Sequence, residues 1–209
     1  AGRKFGKSEG NALFLNPKMT SIFEVYQYFI NAMDEDVERY LKIFTLLSDE
    51  KIKEVVHTTK LNKSNRHAHK VLASNVVHLV HGKQFVPLCE DFSQLLFNNK
   101  KLLEYLSTHK EKKTLFEHFR QIYDFKQFSK EDDSDLFDIM KILEPGIEER
   151  NINSCLQNSF KFLNQDNKFE KLNYVEGKTT FKDLVQNCKR IDDRFVIFRI
   201  RKNSMSTLE

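Results

Sequence analysis

Apolar residues recur at helical spacing through most of the first 143 positions of the chain. In "TSIFEVYQYFINAM", Ile22, Val25, Tyr26 and Phe29 fall on one face, Thr20 or Ser21 is placed as N-cap, and Glu24 sits three residues after Ser21 to complete a capping box. "DEDVERYLKIFTLL" opens with three acids, which suit the positive end of a helix, and then sets Val37, Tyr40, Leu41 and Phe44 in a stripe. "SDEKIKEVVHTT" has a Ser cap, two acids and an apolar face of Ile52, Val55 and Val56. "SNRHAHKVLASNVVHLVHG" predicts a helix from Ser64 that stops at Gly82, with Ala68, Leu72, Val76, Leu79 and Val80 inward. Further helical runs are predicted near 86–97, 100–107, 112–122 and 132–143.

Pro145-Gly146 breaks this pattern, because proline lacks the N–H that a helix interior needs. Beyond it the periodicity changes. Residues 152–165 read as one more helix, "KFEKLNYV" as strand-like, and Glu176-Gly177 as a turn. "DRFVIFRIRK" alternates Phe195, Ile197 and Arg199 against Val196, Phe198 and Ile200, the period of a strand. The organisation predicted is a leading segment over 1–19, a helical domain over 20–143, a small α+β domain over 150–203 and a frayed tail over 204–209.

Composition adds bounds. Of 209 residues, 40% are hydrophobic, enough for a sizeable core, and 31% are charged, which disfavours a membrane protein. No apolar run reaches the roughly 20 residues that a bilayer span needs. Cys89, Cys155 and Cys188 are odd in number and far apart, so they make neither a CxxC pair nor a disulfide pattern, and a reducing compartment is expected. A net charge of +4 permits an RNA partner.

The candidate chemistry stands at the front, in "AGRKFGKSEGNALFLN". A P-loop, G-x-x-x-x-G-K-[ST], would place Gly6-Lys7-Ser8 at its end and would require Gly at position 1, where the chain has Ala1. The loop instead resembles another lysine loop. "KFGKSEGNALFLN" is similar to the KMSKS signature of tyrosyl-tRNA synthetases in a Lys-Phe-Gly-Lys-Ser form, with Gly10-Asn11-Ala12 and Leu15 matching as well. "TSIFEVYQYFIN" resembles the family's "TSPYxxYQxxxN" helix, "DEDVERYLKIFTLL" its next helix, and "AHKVLASNVVHLVHG" its "A-x-x-x-L-A-x-x-V-x-x-L-V-H-G" helix. The four blocks stand in order over residues 3–82 and are closest in type to the mitochondrial branch.

The resemblance implies a class I tyrosine–tRNA ligase, which joins tyrosine to tRNA(Tyr) through tyrosyl-adenylate, with ATP as substrate, Mg2+ on the ATP and no prosthetic group. It implies that Lys7 contacts ATP with Lys4 assisting, and that Phe5, Gly6 and Ser8 complete the grip. Lysines on a mobile loop suit this step, because negative charge builds on the leaving pyrophosphate in the transition state. Gly6 lets the backbone bend and approach. The implied fold is mainly α: a helical anticodon-binding domain, then a small α+β S4-like domain, with the catalytic Rossmann domain absent. On that reading the chain is the C-terminal half of a synthetase, inactive alone, whose homodimer forms through the missing domain. The implied compartment is the mitochondrial matrix, or the cytoplasm of a bacterium. The other class of function open to the sequence is a non-catalytic RNA-binding protein derived from such a half.

Lys60, Lys63, Arg66 and Lys70 gather in eleven residues, as a solvated helix start or as contacts to tRNA phosphates. "KEKKT" at 110–114 reads as an exposed face. In "RFVIFRIRKN", Arg194, Arg199, Arg201 and Lys202 suit phosphate contacts, with Arg199 and Arg201 the chosen pair. The terminal domain lacks the S4 type's "S-x-x-E-A-R/K-R" helix and "G-G-V-x-I-N" turn, with "NQDNKFEKLN" as a remnant. His67, His69, His78 and His81 raise the question of a metal, but no Cys or carboxylate close in sequence completes a ligand set, and none is assigned.

Overall fold

A computed structural model of the chain describes residues 13–108, 119–123, 127–128, 134–143, 148–191, 195–199 and 206–208. They are mostly helical and fall into two units, one built on 13–92 with 119–123 and the other on the described residues of 93–118 and 125–209.

The first unit is all helix: α1 (Ile22–Ile30), α2 (Val37–Phe44), α3 (Asp49–Leu61), a 3-10 turn (Lys63–Asn65), α4 (His67–His81) and the first part of α5 (Phe85–Phe97), within which the unit boundary falls. The caps of α1 and α3 are those the sequence predicts. The Ser21 and Glu24 side chains each accept from the other's backbone N–H, at 3.2 and 2.7 Å. Ser48 Oγ accepts from Lys51 N–H at the start of α3.

Burial on α1 is wider than the predicted stripe, since Phe23 and Gln27 are buried beside Ile22, Val25, Tyr26 and Phe29. The reason is that α1 is packed on more than one side. It packs along α4, and Phe23 also meets Phe92 of α5 at 4.5 Å between ring centroids and Tyr123 at 5.8 Å. Phe92 in turn stacks on Phe119 at 4.7 Å. At the other end Phe29 packs edge-on against Phe44 of α2 at 5.2 Å. Tyr26, Ser74 and Glu90 link α1, α4 and α5 by hydrogen bonds, Ser74 Oγ to Glu90 at 2.8 Å. Burial holds the Tyr26 phenol well above its ordinary range, with the Glu90 charge adding.

α4 departs from expectation at its start and in part of its inward face. It begins at His67, not Ser64, because Lys63–Asn65 form a 3-10 turn and Arg66 adopts the left-handed conformation, φ 48°. Its inward face is Ala68, His69, Leu72, Ala73, Val76 and Val77. Leu79 and Val80, predicted inside, are exposed: Leu79 lies off the i, i+4 rows that start at Ala68 and His69, and Val80 continues the Ala68 row one turn beyond its last buried member, Val76. Gly82, φ 116°, ends the helix as predicted, and a Cβ there would lie 2.6 Å from Gln84 Oε1.

The second unit mixes helix and sheet. It holds the end of α5, α6 (Asn99–Thr108), β1 (Gln127–Phe128), α7 (Leu136–Leu143), α8 (Glu149–Asn158), β2 (Lys161–Leu163), β3 (Phe169–Glu170), α9 (Phe181–Asn187), β4 (Arg190–Ile191), β5 (Phe195–Arg199) and β6 (Ser206–Leu208). The sheet runs β1-β6-β5-β2-β3, with β1 and β6 parallel. β5 is flanked by β6 along one edge and by β2 and β4 along the other. Its core joins Leu136, Ile139 and Met140 of α7, Ile152 and Leu156 of α8, Phe160, Phe162, Phe181, Leu184, Val185, Cys188 and Phe198.

Two predictions fail here for identifiable reasons. The helix predicted over 152–165 ends at Asn158. Phe160 and Phe162 then enter the core at strand period, and Phe162 pairs with Phe198 and Glu170. The strand predicted from Lys168 to Val175 shortens to Phe169–Glu170, while the turn holds Gly177 at φ 66° as predicted. The helix that follows, α9, is an addition to the predicted elements, and its local signal is the capping box that Thr180 and Asp183 form. The helix predicted over 112–122 falls mostly outside the described residues.

Candidate nucleic-acid interface

Of the cations picked from the sequence, Lys60, Lys63, Arg66 and Lys70 occupy one continuous corner, from the last turn of α3 through the 3-10 turn to the first turn of α4. Lys60 and Lys70 are exposed and Arg66 is half-buried. The corner is tied down by short polar side chains. Thr59 Oγ1 donates to Val55 O at 2.9 Å and accepts the Ala68 N–H at 2.8 Å, which fastens the start of α4 to α3. Ser64 Oγ donates to Asn62 at 2.7 Å, and Lys70 Nζ donates to Asn65 at 2.9 Å. A Glu lies in the field of this corner: the Glu38 carboxyl is held below its ordinary range by its hydrogen bond to Lys42, with Lys60 adding to the effect.

Arg66 is turned inward. Its Nη2 reaches the Ala32 carbonyl in the loop after α1 at 3.4 Å. His69, only 3% exposed, places Nε2 3.1 Å from that same carbonyl and 3.2 Å from Asp34 Oδ1. Its Nδ1 is buried and has no partner among the described residues. Burial pushes the His69 imidazolium down below the ordinary 6.5, and the neighbouring Arg66 guanidinium pushes the same way, against Asp34 and the Ala32 carbonyl. A neutral ring with its hydrogen on Nε2 satisfies both acceptors. Sequence reasoning weighed His69 only as a metal ligand. Its position one residue from Ala68, four before Ala73 and eight before Val77 was the signal that it faces the core.

The remaining histidines are dispersed in role. His78 is exposed, and burial lowers the half-buried His81. Among the described residues no three His, Cys, Asp or Glu side chains gather as a metal site. Cys89 is buried, and burial pushes its thiol up to about 12; Cys188 is likewise buried and raised. No described helix is long and apolar enough to cross a membrane.

Lys4, Phe5, Gly6, Lys7 and Ser8 lie outside the described residues, as do the basic knot at 110–114, Arg194, Arg201 and Lys202. Arg199 ends β5, where its Cα partner is Lys161 of β2.

Comparisons with known proteins find similarity to tRNA synthetases. Residues 1–98 match the family model of tRNA synthetases class I (W and Y). A tyrosine–tRNA ligase of Onion yellows phytoplasma is 43% identical over 100 residues, 48% of this chain and 24% of that protein. The tyrosine–tRNA ligase of Leuconostoc mesenteroides is 47% identical over 98 residues, 47% of this chain and 24% of that protein. A C-terminally truncated mitochondrial tyrosyl-tRNA synthetase of Aspergillus nidulans is similar over 42% of this chain and 26% of its own, at 39% identity and a TM-score of 0.40. The chain thus spans about a quarter of the length of the curated relatives it matches.

These matches correct the predicted fold class. The sequence reading took the mainly α chain as a helical anticodon-binding domain and an S4-like domain from which the catalytic domain is absent. The synthetase model itself covers residues 1–98, and so takes in α1 to α4 and α5. The resemblance implies that the lysine loop ends the catalytic region, whereas the family model runs on past it to residue 98. The match lies at the chain's N-terminal side and does not support a C-terminal half. Through residues 1–98 the chain is similar to the class I tRNA synthetases of tryptophan and tyrosine, and the relatives named above are tyrosine–tRNA ligases.

Proposed function

We propose that the chain is part of a tyrosine–tRNA ligase, which uses ATP to attach tyrosine to tRNA(Tyr) through tyrosyl-adenylate. The observation that carries this reading is the 43–47% identity to tyrosine–tRNA ligases over about 100 residues, with the family model matching residues 1–98. Lys4 and Lys7, with Phe5, Gly6 and Ser8, grip the ATP phosphates, where Mg2+ accompanies the nucleotide. A cation held against the leaving pyrophosphate gains most as its charge grows, which accelerates the step rather than merely binding substrate.

The tRNA partner meets the corner of Lys60, Lys63, Arg66 and Lys70. Its support is the continuity of these cations along α3, the 3-10 turn and α4, and the hydrogen bonds that hold that backbone still. Cations of this kind fix position on the phosphates and carry no sequence information. Arg199 and Arg201 form a second proposed set, supported by the register that sets Arg199 beside Lys161. The full-length product is proposed as a homodimer. It serves the mitochondrial matrix or, alternatively, a bacterial cytoplasm; the scattered positions of Cys89, Cys155 and Cys188 agree with a reducing compartment.

Aminoacylation tests the reading. The full-length product should charge tRNA(Tyr) with tyrosine, and the triple variant Lys60→Ala, Lys63→Ala, Lys70→Ala should raise KM for the tRNA. Arg66 is left in place because it also holds Ala32. Each lost phosphate contact should flatten the dependence of log affinity on log salt by about 0.7–0.9. An unchanged KM and slope would leave these lysines as a solvated face.

A further inference from the structure

We propose that His69 is a proton-sensitive latch, which in its neutral form fixes the start of α4, and with it the cation-bearing corner from Lys60 to Lys70, to the loop after α1. The latch is argued from contacts alone and does not depend on RNA being the partner. Two side chains from the beginning of α4, Arg66 and His69, converge on one backbone carbonyl, Ala32 O, and the imidazole also meets Asp34 Oδ1. The loop that carries Ala32 and Asp34 joins α1 to α2. The corner's own backbone is strained at Arg66, a non-glycine residue in the left-handed region, so its shape is held by surrounding contacts rather than by local preference.

The asymmetry of the ring makes the latch sensitive to protons. Nε2–H has two acceptors. Nδ1 is buried without a partner among the described residues, so it can remain an unprotonated nitrogen at modest cost but cannot carry a hydrogen well. The charged groups acting on the ring are Arg66, which opposes a second positive charge, and Asp34, which favours it. Asp34 is 85% exposed, and water screens most of its help.

The sign follows. The unfolded histidine binds a proton near 6.5 and the folded one only at lower pH, so the unfolded state holds more protons between the two values. The latch is therefore complete above pH 6.5 and weakens as pH falls below it, by at most tenfold in the local opening equilibrium per pH unit, the limit for one proton.

Hydrogen exchange on the full chain between pH 5 and 8, corrected for intrinsic rates, tests this. Amides of the α1–α2 loop and the first turn of α4 should lose protection below pH 6.5 in the parent chain. His69→Gln, which keeps a donor but does not titrate, should show protection independent of pH over that range. His69→Ala should be less protected at every pH. Nitrogen NMR of the parent imidazole supplies a readout that needs no variant: Nε2–H at pH 7, with protonation only below 6.5. Parallel pH profiles for the parent and His69→Gln would overturn the latch, as would an Nδ1–H tautomer or a ring that protonates above 6.5.

Discussion

Lys7→Ala in the full-length product is expected to slow tyrosyl-adenylate formation by about 100- to 1,000-fold, the usual cost of removing one group that stabilises transition-state charge. Tyrosine affinity should change little. The reason is electrostatic timing. On the proposed reading the loop lysine meets phosphate oxygens whose negative charge increases as the bond to the α-phosphorus breaks, so its loss raises the transition state more than the ground state. Lys4→Ala should act in the same direction with a smaller effect, since Lys4 assists. Stopped-flow or pyrophosphate exchange measures the rate, and equilibrium dialysis measures tyrosine binding. A Lys7→Ala enzyme that exchanges pyrophosphate at the parent rate would remove the assignment of the loop.

The largest effect on stability should come from Phe92→Ala. Phe92 is fully buried and lies between Phe23 at 4.5 Å and Phe119 at 4.7 Å, with Tyr123 at 5.5 Å. Removing the ring leaves a cavity bounded by three other rings, which cannot collapse together without moving α1. A loss of about 3–5 kcal/mol is expected for a buried Phe cut to Ala. Urea unfolding of the chain, followed by circular dichroism, reads this as a lower midpoint. A midpoint shifted by less than about 1 kcal/mol equivalent would mean that the aromatic cluster is not packed as described.

Much of the first unit was legible because its signals are local. The Ser21–Glu24 capping box, the Ser48 cap and the stop at Gly82 each need only neighbouring residues, and each occurs where the sequence places it. What local pattern could not supply was the second packing partner. Phe23 looked like a residue off the stripe, yet α5 and Tyr123 give it somewhere to go. Leu79 and Val80 had the right spacing but remain exposed. In the second unit, Ile152, Leu156, Phe160 and Leu163 fit one helical face as readily as Phe160 and Phe162 fit a strand. Their pairing with β5 decides the matter, and that partner lies more than thirty residues away in sequence.

The candidate site was legible in composition but not in roles. Counting cations found Lys60, Lys63, Arg66 and Lys70 together. It could not show that Arg66 donates to a backbone carbonyl, because Ala32 lies in a different connection of the chain. His69 was singled out for its chemistry, whereas its burial beside Ala68 and Leu72 defines its role. The extent of the synthetase region was not legible from the motifs, since a signature loop marks a site and not the length of the family's match, which runs to residue 98.

The central claim, that this chain belongs to a ligase for tyrosine, is tested most directly by amino-acid-dependent exchange of pyrophosphate into ATP by the full-length product. Tyrosine and tryptophan are supplied in turn, because the matched family model covers enzymes of both. The account predicts exchange with tyrosine and none above background with tryptophan. Exchange with tryptophan alone, or none with either amino acid in a folded enzyme with Mg2+ and ATP, would contradict it.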